Sequence, residues 1–169
     1  PATSLEASSN GIGMIVQEAG TIPGITVAEN IFLGNYKPFK KGPFVDRGKM
    51  NAAAKAALEK VGITNINPAF PTSRYDMQER KLIEIAKVMA GDPELFIVDE
   101  TTTALSHSGR ELLYQIMHKA AESGKAVVFI SHDLAELMEH CDTLTILRDG
   151  VIIDNLEKKD FEANDIKHK

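Results

Sequence analysis

The sequence predicts an α/β fold with a mainly parallel sheet, into which a helical subdomain is inserted. Four consecutive apolar residues, Leu95 to Val98, follow Gly91-Asp92-Pro93 and indicate a strand buried on both faces. From there a strand, a helix, a strand, a short helix and a strand alternate before a closing β-hairpin, which is typical of a parallel sheet. Residues 26–90 instead show mainly helical patterns between two strands. We therefore divide the chain into an α/β core (11–18 and 91–157), a helical subdomain (26–90) and a truncated tail (158–169).

The composition is that of one ordinary globular domain. The chain has 169 residues, of which 43% are hydrophobic and 25% charged, and a formal net charge of −5. This charge argues against a broad surface for nucleic acid or anionic membrane. Cys141 is the sole cysteine, which excludes an internal disulfide and a Cys-rich metal site and fits a reducing cytoplasm. The apolar stretches are too short to span a bilayer, and the N-terminus lacks the pattern of a signal peptide.

The first half of the chain contains one strand and three helices. Residues 11–16 read as a short buried strand, and Thr26-Val27-Ala28-Glu29 is a capping box that starts a helix ending near Leu33. Residues 35–45 are predicted to be a surface loop. Asp46 caps a helix that runs to Lys60. A third helix begins near Asp76 and ends at Gly91, with its apolar face formed by Leu82, Ile83, Ile85, Ala86 and Met89.

The second half supplies the rest of the sheet. The predicted elements are a hydroxyl-rich loop at 101–108, a helix at 109–122, a buried strand at 126–130, a short helix at 134–140 and a strand at 144–147. Asp149-Gly150 predicts a tight turn into a final strand that begins at Val151. The tail from Asp160 has the pattern of a helix cut off in mid-course.

Two adjacent carboxylates, Asp99 and Glu100, follow the central apolar strand. Ligands bind at the C-terminal ends of strands in open α/β sheets, and an apolar strand that delivers Asp-Glu to this edge is the Walker B arrangement of P-loop nucleotide hydrolases. The first carboxylate serves Mg²⁺ through its water shell, and the second polarises the attacking water. From this stretch alone the alternative stays open that the pair only starts a loop or caps the next helix.

The order and content of these segments resemble the nucleotide-binding domain of an ATP-binding cassette (ABC) transporter, from Gly11 to Glu157. Within that family the chain is most similar to the ATP-binding subunits of bacterial carbohydrate importers of the ribose/galactose type. The resemblance implies a partial P-loop NTPase core with an inserted helical subdomain. The matching stretches are Gly-Ile-Gly-Met-Ile-Val-Gln-Glu (11–18), Thr-Val-Ala-Glu-Asn-Ile-Phe-Leu-Gly (26–34), Glu-Ile-Ala-Lys (84–87), residues 95–100, Ile-Ser-His-Asp (130–133) and residues 141–150.

The resemblance also implies roles for individual residues, with ATP and Mg²⁺ as cofactors. Gln17 looks like the Q-loop glutamine, whose amide can contact a Mg²⁺-bound water and a phosphate oxygen. Asp99 is similar to the Mg²⁺-linked aspartate, and Glu100 to the catalytic base that orients water. His132 resembles the switch histidine that contacts the γ-phosphate. Ser106 lies in the D-loop segment, where many relatives carry Asp, and Thr101 replaces the family's usual Pro.

One departure from the family concerns the loop that holds the phosphates. No Gly-x-x-x-x-Gly-Lys-Ser/Thr occurs in the sequence, although this loop supplies the backbone amides and the lysine that bind phosphate. In the family it precedes the Q-loop. We therefore expect an N-terminal part to be missing, and we expect the chain as given neither to bind ATP tightly nor to hydrolyse it.

A second departure is the signature segment. Alignment on residues 84–87 places Tyr75-Asp76-Met77-Gln78-Glu79 where relatives have Leu-Ser-x-Gly-Gln, a helix N-terminus that grips the γ-phosphate bound by the opposite subunit. Asp76 would there face a polyanion. One unit-charge repulsion at 4 Å costs about 4 kcal/mol at an effective dielectric constant of 20, and the helix dipole offsets only ~0.3–1 kcal/mol. We expect Asp76 and Gln78 to weaken the site that this signature completes.

The resemblance implies a second nucleotide-binding domain, transmembrane permease subunits and, indirectly, a sugar-binding protein as partners, at the cytoplasmic face of the membrane. Residues 19–25 and the helix from Thr26 are the expected docking face, although their apolar residues could equally fill the subdomain core. The alternative within the family is a catalytically reduced ABC domain with a regulatory or structural role. The acidic charge balance argues against a soluble ABC protein of DNA repair or translation. A Rossmann-like enzyme is rejected because the first strand leads into Gln17-Glu18-Ala19-Gly20 rather than a Gly-rich loop.

Overall fold

The computed structural model describes residues 4–17 and 20–161, and the chain divides into two compact units between Val128 and Phe129. The division proposed from the sequence, into a core at 11–18 and 91–157, a helical subdomain at 26–90 and a tail, remains a prediction about the domain organisation.

The first unit combines five helices with a parallel sheet. The helices are α1 (Ser4–Ser9), α2 (Val27–Ile31), α3 (Arg47–Lys60), α4 (Met77–Ala90) and α5 (His107–Glu122). The strands are β1 (Ile12–Ile15), β2 (Lys40–Lys41), β3 (Phe44–Val45), β4 (Leu95–Asp99) and the beginning of β5 (Ala126–Ile130). The sheet has the order β1-β4-β5, and β1 and β4 are parallel, with Ile12 opposite Leu95 and Ile15 opposite Val98. The predicted α/β class with parallel strands is confirmed.

The helix starts are fixed by the side chains that the sequence indicates. The Thr26 hydroxyl accepts from the Glu29 amide, and the Glu29 carboxylate accepts from the Thr26 amide at 2.8 Å, which completes the predicted capping box of α2. These Thr26 donors hold the pKa of the Glu29 carboxyl below its usual value. Asp46 caps α3 in the same way, by accepting from the Lys49 amide at 2.9 Å.

The packing of α4 on β1 sets the direction of the helix relative to the sheet. A Cβ at Gly13 would lie 2.6 Å from Val88 Cγ1 and 2.9 Å from Pro93 Cβ, so the glycine allows the helix and the strand to approach closely. Near the other end of the strand, the amide of Val16 donates to the Glu84 carboxylate. The helix therefore runs antiparallel to β1, and its first turns lie towards the C-terminal edge of the sheet.

The prediction that the strand at residues 95–98 is buried on both faces is wrong. In β4, Phe96 and Val98 are fully buried, whereas Leu95 and Ile97 are only half-buried. The same alternation leaves Met14 of β1 44% exposed and Val128 of β5 45% exposed. Side chains of a strand point alternately to the two faces, and α4 packs on the face to which Gly13 belongs. An apolar run cannot reveal that only one of the two faces is covered.

The predicted surface loop at residues 35–45 contains regular structure. Lys37–Phe39 forms a 3₁₀ helix, and β2 pairs with β3 as a two-residue antiparallel ladder. Phe39 is buried and packs on Phe32, with ring centroids 4.6 Å apart, so an aromatic contact anchors the segment. Helix α2 ends at Ile31, two residues before the predicted Leu33.

The second unit is a short helix followed by a β-hairpin. Helix α6 (Leu134–His140) has its predicted bounds, and β6 (Thr143–Arg148) pairs with β7 (Val151–Glu157) as an antiparallel hairpin. Its turn is the predicted Asp149-Gly150, with φ of 50° and 78°. Lys158–Asp160 forms a 3₁₀ turn. Most of the tail helix expected from Asp160 falls on residues 162–169, outside the described residues.

Candidate functional site

The C-terminal edge of the first unit's sheet brings together three of the predicted site residues. Asp99 is the last residue of β4, Glu100 follows it, and both are half-buried. Because Ile15 is level with Val98 in the parallel ladder, Gln17 leaves the end of β1 at the same edge. Gln17 is exposed. Two carboxylates and one amide thus follow neighbouring strands where an α/β sheet binds its ligands.

The turn after β4 is strained. Glu100 has φ 42° and ψ 30°, a left-handed conformation that costs a non-glycine residue about 1–3 kcal/mol and that is common at functional sites. Two hydroxyls stabilise the turn: Thr101 donates to the Asp99 carbonyl at 3.1 Å, and Thr103 donates to the Glu100 carbonyl at 3.0 Å. Thr101 is fully buried. The two threonines therefore hold Glu100 in its left-handed conformation.

His132 belongs to the second unit. It is exposed, lies two residues after the end of β5 and precedes Asp133, which caps α6 by accepting from the Ala135 amide at 2.9 Å. The neighbouring Ser131 hydroxyl donates to Glu136 at 3.2 Å. The local frame around the imidazole is thus well defined, and its expected meeting with Asp99 and Glu100 remains a prediction.

The signature position is occupied by an acidic helix cap. Asp76 is the N-cap of α4 and accepts from the Glu79 amide at 2.8 Å, while the Glu79 carboxylate accepts from the Asp76 amide at 3.0 Å. The Arg80 guanidinium donates to the carbonyls of Thr72 and Tyr75, which holds the segment before the helix. A carboxylate of the chain itself therefore fills the place at which a helix N-terminus would receive an anion.

The two other predicted nucleotide contacts lie at helix starts. Gln78 is the second residue of α4 and is half-buried. Ser106 is the N-cap of α5, where its hydroxyl accepts from the Gly109 amide at 3.3 Å. Ser106 is exposed, so its hydroxyl can cap α5 and still be accessible to a ligand. Their roles towards a nucleotide remain predictions.

A buried ion pair beside Gln17 escaped the sequence analysis. Lys81 and Glu84 on α4 are 2% and 4% exposed, and their charged groups are 2.9 Å apart. The Lys81 ammonium donates to the Val16 carbonyl at 2.6 Å. The Glu84 carboxylate accepts from the amides of Val16 and Gly20 at 3.4 and 3.3 Å. The available signal was a Lys and a Glu placed three residues apart among the apolar residues of the helix.

A second buried polar group shapes the loop after Gly20. The Asn30 amide is fully buried, accepts from the Ile22 amide at 2.7 Å and donates to the Ile22 carbonyl at 3.0 Å. The buried Thr72 hydroxyl donates to the same carbonyl at 2.6 Å. These bonds hold the backbone of Ile22 while its side chain stays 46% exposed. Asn30 belongs to the matched stretch at residues 26–34, and Thr72 was not among the predicted functional residues.

The donor set at the sheet edge suits Mg²⁺ better than a metal that needs a complete protein cage. Within residues 4–17 and 20–161, no cluster of three or more His, Cys, Asp or Glu side chains could hold a metal ion. Mg²⁺ is usually bound by one or two carboxylates together with waters and substrate phosphates, and Asp99 with the Gln17 amide offers such a partial set.

Among the described residues, no helix is both long enough and apolar enough to cross a bilayer.

The parallel sheet with paired carboxylates at its C-terminal edge is the arrangement of P-loop nucleotide hydrolases. Among solved structures, the chain is similar to the dimeric ATP-binding cassette MJ0796 in a post-hydrolysis state with ADP and Pi, with a TM-score of 0.75 and 21% identity over 94% of this chain and 69% of that one. That likeness establishes the fold. The family model described as "ABC transporter" matches residues 2–103, and the chain belongs to this family.

Two curated relatives of the chain are named as ATP-binding proteins of galactose and ribose import. The chain is 39% identical over 157 residues to the galactose/methyl galactoside import ATP-binding protein MglA of Pasteurella multocida. The aligned region covers 93% of this chain and 30% of that protein. It is also 35% identical over 161 residues to the ribose import ATP-binding protein RbsA of Rhodococcus jostii. That aligned region covers 95% of this chain and 32% of that protein. The chain thus spans 30% and 32% of the length of these two relatives.

Proposed function

We propose that this chain is part of the ATP-binding, energy-coupling subunit of a carbohydrate importer, which hydrolyses ATP as a dimer to drive sugar uptake. The observation that carries the proposal is the placement of Asp99 and Glu100 at the C-terminal end of β4, beside the end of the strand that leads to Gln17. The family supports the nucleotide chemistry, and relatives named for galactose and ribose import support the sugar class.

In this proposal each residue at the edge has a distinct task. Bound Mg²⁺ would neutralise charge on the ATP phosphates. Asp99 and the Gln17 amide are the residues that would hold that ion through its bound waters. Glu100 orients the attacking water as a general base, and His132 contacts the γ-phosphate. We infer that the amide nest and lysine for the phosphates come from outside residues 1–169, because the sequence contains no Gly-x-x-x-x-Gly-Lys-Ser/Thr.

The loop after Gly20 is the proposed contact with the membrane-embedded permease. Ile22 is exposed, yet Asn30 and Thr72 hold its backbone with buried hydrogen bonds. A fixed backbone that carries an exposed apolar side chain loses little conformational entropy on binding and suits a docking contact. Helix α2 contributes less than expected, because Val27, Ala28 and Ile31 are buried in the first unit. Residue 19, at the start of the predicted docking loop, lies outside the described residues.

The proposed partners follow from the same assignment. A second nucleotide-binding domain completes each ATP site, permease subunits receive the motion, and a sugar-binding protein acts indirectly through them. The proposed location is the cytoplasmic face of the membrane, where the permease holds the subunit.

The experiment is ATP turnover of the full-length protein with Glu100→Gln. We expect the rate to fall by ~10²–10⁴-fold, because the substitution removes the base and keeps the size of the side chain. The matched control is Asp92→Asn, an acidic residue that is also in the left-handed region but precedes the same strand at its opposite end. Asp92→Asn should leave turnover unchanged. Equal rates for the wild type and Glu100→Gln would refute the assignment.

A second candidate function is a catalytically reduced ABC domain that regulates or supports an active partner. The acidic cap at Asp76 favours it, since a carboxylate occupies the helix start that would receive a phosphate. Measuring ATP turnover with and without the permease distinguishes the two functions. Stimulation by the permease supports the importer motor, whereas turnover that stays at background in both conditions supports the reduced domain.

A further inference from the structure

We propose that Lys81 and Glu84 are positioning residues for Gln17: their buried ion pair ties the loop after β1 to helix α4, so that the helix sets the conformation of the loop. The effect on catalysis rests on the proposed function, whereas the contact between helix and loop does not. Nothing in the family match or in the names of the relatives assigns a role to either residue.

The contacts show a pair directed towards the loop rather than along the helix. Lys81 donates to the Val16 carbonyl at 2.6 Å and lies 3.5 Å from the Gln17 carbonyl. Glu84 accepts from the amides of Val16 and Gly20. The lysine therefore satisfies acceptors of the loop and the carboxylate satisfies its donors. Gln17 lies between the backbone groups that the two charges hold.

Burial explains why this contact is specific. Lys81 and Glu84 are almost wholly removed from water, and a buried charge needs a partner and hydrogen bonds. The carboxylate accepts from the amides of Val16 and Gly20 and the ammonium donates to the Val16 carbonyl, so a displaced loop would leave both buried charges with fewer hydrogen bonds. The pair therefore favours one register of the loop.

The glycine at position 20 fits the same arrangement. A Cβ on Gly20 would lie 2.7 Å from Glu84 Oε1 and 3.0 Å from its Cδ, so a side chain at this position would require the Glu84 carboxylate to shift.

The same helix starts at the signature position. Lys81 lies five residues after Asp76, about 7.5 Å along the helix axis. Helix α4 thus joins the Asp76 cap at its start to the Gln17 loop through its second turn. A displacement of the helix start would be transmitted to Gln17 through the rigid helical backbone and the contacts of Lys81 and Glu84 with the loop.

The test replaces the pair with apolar residues of similar length, Lys81→Met with Glu84→Met, in the full-length protein. Buried ion pairs often tolerate replacement by apolar residues, so α4 should stay folded while the loop loses its partners. By hydrogen exchange, we expect peptides containing the Val16 and Gly20 amides to exchange at least about tenfold faster, with α4 peptides unchanged. The control is Lys55→Met with Glu59→Met, an exposed pair on α3 that should change neither. Unchanged loop exchange in the apolar pair would overturn the proposal.

A charge reversal, Lys81→Glu with Glu84→Lys, separates a loop contact from a structural ion pair. It keeps opposite charges three residues apart on the helix but places an acceptor near the Val16 carbonyl and a donor near the two amides. We expect loop exchange to rise as in the apolar pair. If the reversal restored wild-type protection, the pair would be an internal feature of the helix and the proposal would fail.

A double-mutant cycle with Gln17→Ala tests the positioning role. If Lys81 and Glu84 act through Gln17, the apolar pair should lower ATP turnover in the wild type but cause no further loss in Gln17→Ala. Losses that multiply would show that the pair acts elsewhere. Absence of ATP turnover in the wild type would refute the proposed function. The hydrogen-exchange measurements would still show whether Lys81 and Glu84 hold the loop after β1.

Discussion

At the scale of single residues, two buried threonines near the Gln17 loop differ in their hydrogen bonding. Thr72 donates to the Ile22 carbonyl and receives a bond from Asn30 at 3.3 Å. The Thr21 hydroxyl is buried without a hydrogen-bond partner in the described part of the chain. A buried hydroxyl stabilises a protein only when its hydrogen bonds are made. Both sites are buried threonines, Thr21 at 9% and Thr72 at 0% exposed, and their hydrogen bonds differ.

This difference predicts opposite results for one substitution. Thr72→Val should lower the free energy of unfolding by about 1–3 kcal/mol, because two buried partners lose a hydrogen bond. Thr21→Val should change it by less than about 0.5 kcal/mol or raise it, because an unsatisfied group is removed. Urea unfolding followed by circular dichroism measures both. A larger loss for Thr21→Val than for Thr72→Val would contradict the assigned bonds.

At the scale of secondary-structure elements, Asp76 combines two properties that can be separated. Its oxygen caps α4, which stabilises the helix start, and its charge opposes an incoming phosphate. Serine at an N-cap keeps the hydrogen bond and removes the charge, whereas alanine removes both.

We therefore expect Asp76→Ser with Gln78→Gly to raise ATP turnover of the full-length protein, because the repulsion disappears and the signature pattern is restored. Asp76→Ala should instead lower the free energy of unfolding by roughly 0.5–2 kcal/mol. The control is Asp46→Ser on α3, which removes an equivalent capping charge away from the signature and should leave turnover unchanged. No increase for the Asp76 and Gln78 variant would count against an inhibitory role of this cap.

At the scale of the whole molecule, exposed apolar side chains cluster on strands. The first unit exposes Met14 and Val16 at β1 and Val128 on β5. The hairpin of the second unit exposes Leu147, Val151, Ile152 and Ile153. Apolar side chains that cluster in this way form patches that bind apolar probes.

The hairpin patch offers a direct measurement. Leu147 and Ile152 face each other across β6 and β7 and are 66% and 58% exposed. Threonine is a β-branched strand former, so replacing both residues with Thr should preserve the strands and remove apolar area, and 1-anilinonaphthalene-8-sulfonate fluorescence of the chain should fall. Thr145→Ser on the same hairpin is the control and should leave the fluorescence unchanged. Equal fluorescence of the double variant and the wild type would contradict an exposed patch.

Local chemistry allowed much of the molecule to be predicted from its residues. The helix caps at Thr26, Asp46 and Asp76 and the turn at Asp149-Gly150 depend on neighbours within four residues, so each can be recognised in the sequence. The position of Asp99 at the edge of the sheet where β1 also ends was predictable, because parallel strands present their C-terminal ends at one edge.

The tertiary structure alone decided which faces are covered and which distant groups meet. An apolar strand reads the same whether one face or both are buried, so the exposure of Met14 and Val128 could not be predicted. The contact of Lys81 and Glu84 with Val16 and Gly20 joins residues more than sixty positions apart, and no local pattern specifies such a meeting. The sequence by itself determined the principal helices and strands and the family, since these depend on short-range preferences and ordered motifs, but it did not predict the short β2–β3 ladder. The surroundings of Gln17 depend on long-range packing and required the folded chain.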